Sequence, residues 1–214
     1  MSDIVWPAGR TFTRAHPHLF GSTEFDVRPA RAVDARFSPI EVGGKVVPVL
    51  YGGVDDHTAT AETVFHLLPT GDRPRRIRRS DYATWQWSSI YPTRDLRLLA
   101  LDATYPGVEV LVDGTAPSYP DSRESAERLL TSAPHIDGLV WPSRQLHEWP
   151  SRVAVDLDDI AVSVVLFGAL SGRTGGVQRH ELHSDEPAVL FISATGMQRL
   201  LRVGSDLDVT VVTA

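Results

Sequence analysis

The clearest candidate for chemistry in this sequence is Glu62, because its spacing places a carboxylate at the border of a predicted amphipathic helix. The apolar stripe of that helix would be formed by Ala61, Val64, Phe65 and Leu68. Glu62 lies about 100° around the helix from Ala61, at the edge of the stripe. A carboxylate there can be half desolvated and still face a cleft, and His66, four residues on, shares its side. An ordinary boundary glutamate has the same spacing, so spacing alone assigns no role.

The helix around Glu62 is predicted to follow a strand and a tight turn. Val46 to Tyr51 is an apolar run typical of a strand, and we expect Gly52-Gly53 to break it. Asp55-Asp56 can cap a helix that begins near Thr58 and stops at Pro69. This strand, turn and helix form the predicted centre of the chain.

Length and composition limit the classes of protein to consider. The 214 residues suit one domain with a substantial core, and 42% apolar with 22% charged residues indicates a globular chain. A net charge of −6 argues against a polyanion-binding surface, so nucleic acid is not an expected partner. Lys45 is the single lysine among 21 basic residues. The chain is therefore rich in arginine, whose planar fork pairs well with phosphate.

Cysteine is absent, which excludes disulfides, thiolate catalysis and cysteine-based metal sites. The N-terminal sequence MSDIVWPAGR lacks the basic start and apolar core of a secretory signal. The longest apolar run, Ala161 to Leu170, is too short to span a membrane. We therefore expect a cytoplasmic protein without a membrane partner.

The rest of the pattern predicts further strands and a second helix, and the expected fold is α/β (α+β): one domain with a mixed, mainly antiparallel sheet and a few helices. The other predicted strands are Thr11–His16, Trp85–Ile90 (a strand or a binding lip), Leu96–Leu101, Gly138–Pro142, Arg152–Leu157, Val162–Phe167, Ala188–Ser193 and Leu207–Val212. Asp121 to Thr131 is predicted as a helix, whereas Phe20 to Pro39 and the arginine-rich Arg73 to Arg79 are predicted as loops. Ser143 would lie at the mouth of the strand that ends at Pro142. The second half is expected to be mostly β.

Several motifs that suggest chemistry fail on inspection. His180-Glu-Leu-His183 is one residue short of a zinc-binding His-Glu-x-x-His helix, and His16 with His18 brackets a proline in a predicted loop, so no metal site is expected. Ser171 to Gly176 is glycine-rich but lacks the signatures of a phosphate-binding or dinucleotide-binding loop, and a hairpin turn explains it better.

Five residues dispersed along the chain remain: Arg14, Arg36, Tyr51, Glu62 and Ser143. Their order is FTR, ARFSP, VLYGG with a glutamate 11 residues after the tyrosine, and then GLVWPSR. This order resembles the RES-domain family, which is named for its arginine, glutamate and serine. The resemblance covers about residues 12–157, and we expect residues 158–214 to form a β-rich C-terminal part of the same single domain, 1–214. Family members usually carry glycine before the second arginine, where this chain has Ala35.

The resemblance implies a fold similar to ADP-ribosyltransferases of the diphtheria-toxin kind. It also implies a toxin that cleaves the nicotinamide–ribose bond of NAD, as an NAD phosphorylase or an NAD glycohydrolase. NAD would be the substrate rather than a bound cofactor, inorganic phosphate is a candidate co-substrate, and the partner would be an Xre-type helix-turn-helix antitoxin. By position, Arg14 and Arg36 would hold the dinucleotide and Tyr51 would lie against its nicotinamide end. Glu62 would be the catalytic carboxylate, with Arg14 and Ser143 acting beside it.

The chemistry of that bond suits this set of residues. The leaving nicotinamide is neutral and needs no proton, so one carboxylate can suffice where most glycosidases use two. That carboxylate would stabilise the positive charge that develops on the ribose carbon, while arginine forks pair with the pyrophosphate. The sequence leaves the acceptor open between phosphate, water and protein. The alternatives are an ADP-ribosyltransferase that modifies a macromolecule and a non-catalytic nucleotide-binding module.

Overall fold

A mixed, mainly antiparallel sheet forms the frame of this α/β domain. The computed structural model describes residues 3–27, 35–66, 68, 74–102, 105, 107–112, 119–143, 146, 155–158 and 161–213. The strands are β1 (Asp3–Trp6), β2 (Phe12–Pro17), β3 (Ile40–Val42), β4 (Lys45–Val47), β5 (Val49–Gly53), β6 (Arg75–Ile77), β7 (Trp85–Pro92), β8 (Leu96–Ala100), β9 (Gly138–Pro142), β10 (Val162–Phe167), β11 (Leu182–His183), β12 (Val189–Leu190) and β13 (Val209–Val211). The helices are α1 (Asp56–Ala61), α2 (Arg79–Tyr82), α3 (Val108–Val112), α4 (Tyr119–Ser132) and α5 (Ala194–Asp206).

Nine of these strands pair in one sheet in the order β1-β8-β9-β10-β5-β2-β7-β11, with β12 also paired to β7. In this sheet β8 and β9 run parallel, and the other pairs are antiparallel. The pairs β3–β4 and β6–β13 form two small separate sheets. The expected mixed and mainly antiparallel fold is confirmed. None of the helices within the described ranges is long and apolar enough to cross a membrane.

Hydrophobic clusters cover both faces of the sheet. Along β10, Val165 and Phe167 join a first cluster that includes residues of α3 and α4, whereas Val164 and Leu166 join a second cluster. This alternation is the two-residue period of a strand. Because β10 is buried on both faces, its sequence is almost entirely apolar. A third cluster lies where β2, β7, α1 and α5 meet.

The sequence analysis expected Gly52 and Gly53 to break the central strand. Instead, they form the last two residues of β5. Their role is to let other chain segments approach β5. A Cβ atom on Gly52 would lie 2.6 Å from the ring of Phe12, and one on Gly53 would lie 2.7 Å from the backbone nitrogen of Ala59. Any side chain would therefore push away β2 or α1.

Helix α1 is shorter than predicted. It ends at Ala61, whereas the sequence predicted an end at Pro69, which lies outside the described ranges. Its start is as expected, since Asp55 caps it by accepting from the Thr58 amide. Beyond Ala61 the regular ladder ends: the Thr63 amide donates to a carbonyl three residues back and the Phe65 amide to one five residues back. Glu62 is thus the C-terminal cap of α1 rather than a residue in the middle of a helix.

The C-terminal part of the chain differs most from the prediction. Residues 194–206 form helix α5, which the sequence analysis missed, so the second half is not mostly β. A strand was predicted at residues 152–157. Of these, residues 155–157 are described and are not part of a strand, whereas residues 152–154 lie outside the described ranges. The predicted arginine-rich loop contains β6, which pairs in parallel with β13.

Candidate active site

A cavity of about 260 Å³ collects four of the five residues singled out in the sequence: Arg14, Arg36, Tyr51 and Glu62 all line it. The fifth, Ser143, touches the same group, because its hydroxyl donates a hydrogen bond of 2.7 Å to Oε1 of Glu62. The other lining residues are Ala15, His16, Pro17, Phe20, Asp26, Ala35, Val49, Thr63, His66, Trp85, Tyr119 and Trp141. The fold therefore gathers into one site all five residues that are dispersed in the sequence.

Glu62 is held from two sides. Its backbone amide caps α1 by donating to the Thr58 carbonyl, which fixes the start of its side chain. Ser143 follows β9 directly, is fully buried, and is anchored by its own amide, which donates to the carbonyl of Ala161 at 2.9 Å. A hydroxyl that donates to a carboxylate makes a charge-assisted hydrogen bond, which is stronger than a neutral one. The Glu62 carboxylate is therefore fixed at the wall of the cavity.

Arg14 extends from β2 and is 7% exposed. Its Nη1 donates to the carbonyls of Gly21 and Ser22 at 3.1 and 2.7 Å, which fixes the plane of the guanidinium. Burial lowers the pKa of Arg14 to about 10, although the charges of Glu24 and Asp26 act in the opposite direction. Arg14 is consequently cationic at neutral pH, and incomplete solvation of that charge favours an anion beside it.

Arg36 lies on a tight turn in which Ala35 and Ser38 exchange backbone hydrogen bonds of 3.2 and 3.3 Å. Its Nη1 donates to the carbonyl of Leu111 at 3.1 Å, and its guanidinium carbon lies 5.7 Å from the centroid of the Tyr119 ring. Alanine at position 35 is therefore compatible with the turn, and Arg36 still reaches the cavity.

Tyr51 connects the central strand to the turn that carries Arg36. Its hydroxyl oxygen accepts from the Phe37 amide at 2.9 Å. Burial raises the pKa of Tyr51 above its ordinary value, so the phenol stays neutral at physiological pH. The hydroxyl thus has a clear structural partner, while the ring contributes to the cavity wall.

Comparison with known proteins identifies the family of this chain. The family model of the RES domain matches residues 10–169 of the chain. The chain belongs to the RES domain family. A solved structure, that of the M. tuberculosis MbcT–MbcA toxin–antitoxin complex, resembles this RES domain with a TM-score of 0.52 and 13% identity, over 92% of this chain and 90% of that chain. At this identity the similarity shows the fold alone. No curated protein matches the sequence.

The cavity of this RES domain also contains a histidine to which the sequence analysis gave no role in the site. His16 lies on β2, in agreement with the predicted strand Thr11–His16 and not with the loop expected around His16 and His18, and it is 2% exposed. Its Nδ1 is 3.1 Å from the carbonyl of Pro17, which can only accept, so Nδ1 carries the proton and Nε2 accepts from the hydroxyl of Ser88 at 2.9 Å. Burial, then the nearby charge of Arg14, lowers the pKa of His16 to about 4.

A chain of hydrogen bonds joins this neutral histidine to Arg14. The Ser88 hydroxyl donates to His16, so it accepts from the hydroxyl of Ser22 at 3.0 Å. The carbonyl of Ser22 in turn accepts from Arg14. The sequence did carry a signal for His16: it follows Arg14 by two residues, and residues two apart on a strand share a face.

The aromatic side chains Phe20, Trp85, Tyr119 and Trp141 make up much of the remaining wall. Flat rings of this kind can pack against a planar ligand. Among the described residues of this RES domain, no group of three or more His, Asp or Glu side chains is arranged to hold a metal ion.

Proposed function

We propose that this RES domain is a toxin that cleaves the nicotinamide–ribose bond of NAD and thereby depletes cellular NAD. The observation that carries the proposal is the 2.7 Å hydrogen bond from Ser143 to Glu62, at the wall of a cavity that also contains Arg14 and Arg36. Family membership and the similarity to a toxin–antitoxin complex support the biological role.

The cavity accommodates the reacting end of the dinucleotide. Its volume of about 260 Å³ is close to the lower end of the range for small-molecule sites, which begins at ~300 Å³. Nicotinamide and its ribose bind inside against the aromatic wall, with the ring near Tyr51. The pyrophosphate lies toward Arg14 and Arg36, whose forks pair with its oxygens.

Glu62 acts on the transition state. As the bond between the nicotinamide nitrogen and the ribose carbon stretches, positive charge moves from the pyridinium ring to the ribose. The carboxylate stabilises that charge and orders the ribose hydroxyls, while the Ser143 hydroxyl keeps the carboxylate oriented. Because nicotinamide leaves as a neutral molecule, no acid is required on its side.

The acceptor decides the product. If phosphate attacks the ribose carbon, the products are nicotinamide and ADP-ribose-1-phosphate. If water attacks, the products are nicotinamide, ADP-ribose and a proton. Two arginines at the site favour an anionic acceptor, because they reduce the repulsion between phosphate and the NAD pyrophosphate.

The proposed partner is an antitoxin of the Xre helix-turn-helix kind that covers the cavity, and the proposed site of action is the cytoplasm, where its substrate NAD is available. The similarity to a toxin that was solved with its antitoxin supports a protein partner.

The decisive experiment is to incubate the purified protein with NAD, with and without inorganic phosphate, and to identify the products by mass spectrometry. Release of nicotinamide is expected, with ADP-ribose-1-phosphate formed at a rate that rises with phosphate. A phosphate-independent release of ADP-ribose would reject phosphorolysis and retain NAD cleavage. Release of nicotinamide with ADP-ribose transferred to a component of an added cell extract, and no free ADP-ribose or ADP-ribose-1-phosphate, would instead favour a transferase.

A further inference from the structure

Helix α5 lies beyond residues 10–169, the part that the family model matches, and yet it packs against the segment that carries Glu62. Leu200 on α5 is fully buried in the same hydrophobic cluster as Ala59 and Phe65, which lie on either side of Glu62 in the sequence. The contact with α1 is therefore part of the core.

A bidentate ion pair joins the two helices. The Nε and Nη2 atoms of Arg199, on α5, donate to the two carboxylate oxygens of Asp56, the first residue of α1. The Asp56 side chain is 13% exposed and that of Arg199 is 31% exposed, so the pair is partly shielded from water. Asp56 also accepts from the hydroxyl of Thr13 at 3.3 Å, and Thr13 precedes Arg14 on β2.

An aromatic ring supports the same ion pair. The guanidinium carbon of Arg199 lies 5.0 Å from the centroid of the Trp87 ring, which also stacks on Phe191 at 3.7 Å. The indole nitrogen of Trp87 donates to the hydroxyl of Thr60 at 3.0 Å, within α1. Arg199 and Trp87 thus hold α1 through two of its residues.

Helix α1 needs such support because it is only six residues long. A helix of that length is unstable on its own in water, so tertiary contacts determine its position. Ser143 fixes the end of the Glu62 side chain, whereas the contacts with α5 fix the helix that Glu62 caps.

We propose that Arg199 is a positioning residue for the site: through Asp56 it holds α1, and thereby the Glu62 carboxylate, in register with Arg14 and Ser143. The C-terminal segment then completes a site whose five candidate residues all lie within the family match. This inference rests on the proposed function for its effect on turnover, but not for its effect on the structure of α1.

The first test compares turnover of NAD by Arg199→Ala, Arg199→Lys and the control Arg202→Ala, an exposed arginine on the same helix. Because a displacement of about 1 Å can cost on the order of 100-fold in rate, Arg199→Ala should lower kcat by about 10- to 100-fold. NAD affinity should change by less than about 3-fold, because Arg14 and Arg36, which are proposed to bind the pyrophosphate, stay in place. Lysine keeps the charge but loses the fork, so it should restore kcat only in part.

A double-variant cycle tests whether the loss of turnover comes from the ion pair between Asp56 and Arg199. If the ion pair acts as a unit, the Asp56→Asn, Arg199→Ala double variant should lose no more kcat than Arg199→Ala alone. An Arg199→Ala protein that melts at a lower temperature but keeps wild-type kcat below that temperature would overturn the inference. Arg199→Lys provides the same comparison if the alanine variant does not fold.

The second test is independent of NAD. Hydrogen exchange measured by mass spectrometry should be about 10-fold faster in Arg199→Ala for the peptide that spans Thr58 to Phe65, because local opening becomes easier there, and unchanged for the peptide that spans β10. Unchanged exchange at residues 58–65 would overturn the inference. If the wild-type protein cleaves no NAD, the proposed function fails, and this measurement still decides the role of Arg199.

Discussion

Acid should destabilise this protein through His16, which is buried and neutral in the fold. Burial and the charge of Arg14 lower the pKa of His16 from 6.5 to about 4. Since the unfolded chain then binds the proton more readily, the contribution of His16 to stability is complete above pH 6.5 and is lost as the pH falls toward 4. The difference of about 2.5 between the two pKa values sets a ceiling of about 3 kcal/mol. About 2 kcal/mol of this is lost between pH 7.5 and pH 5.

The assay is urea unfolding of the wild type and of His16→Gln at pH 7.5 and pH 5. Glutamine does not titrate and offers a carbonyl oxygen to the Ser88 hydroxyl, in place of Nε2. The wild type should lose about 2 kcal/mol more unfolding free energy than the variant over this range. His183→Gln, a replacement at an exposed histidine of β11, should behave as the wild type. An equal loss in the wild type and His16→Gln would refute the assignment of a neutral, buried His16.

Three further predictions concern other contacts. Ser143→Ala removes a partly buried hydrogen bond to the Glu62 carboxylate. It should lower kcat by about 10- to 100-fold, since hydrogen bonds to charged groups contribute ~1.5–3 kcal/mol, and unchanged steady-state turnover would contradict this. Arg14→Ala should weaken NAD binding, measured by calorimetry, more than it lowers kcat, because the pyrophosphate charge hardly changes during the reaction. A normal affinity for NAD would reject the proposed binding of the pyrophosphate by Arg14. Asp137→Asn should lower the unfolding free energy by about 2 kcal/mol, because Asp137 is 3% exposed and accepts two bonds from Arg94; an unchanged urea midpoint would oppose this.

Local patterns were sufficient to predict the main strands. Apolar runs and alternation indicated β7, β8, β9 and β10 close to their observed ends, because burial in a sheet leaves a simple period in the sequence. Helix α5 was not predicted, and its two glycines, Gly196 and Gly204, are unfavourable in a helix interior. The fold requires one of them, since a Cβ atom on Gly196 would lie 1.8 Å from the carbonyl oxygen of Leu190. Such a close approach between two chain segments produces no periodic pattern in the sequence from which it could be predicted.

The same limit applies to the site. Periodicity put Glu62 at the border of a helix longer than the one observed, and it assigned Glu62 no role. The hydrogen bond to Ser143 connects residues 81 positions apart, and no local pattern predicts such a contact. The family resemblance named both residues without giving their distance. The roles of Asp56 and Arg199 could not be predicted at all, because their pairing depends on how α5 packs against α1.

The most direct test of the account is the rate of nicotinamide release by Glu62→Gln at saturating NAD. Glutamine keeps the shape and hydrogen-bonding capacity of Glu62 but removes the charge that, in the proposed mechanism, stabilises the ribosyl cation. We expect NAD binding near that of the wild type and a rate reduced by about 10²- to 10³-fold, the scale for loss of one preorganised electrostatic partner. Release of nicotinamide at the wild-type rate would contradict the assignment of Glu62 as the catalytic carboxylate.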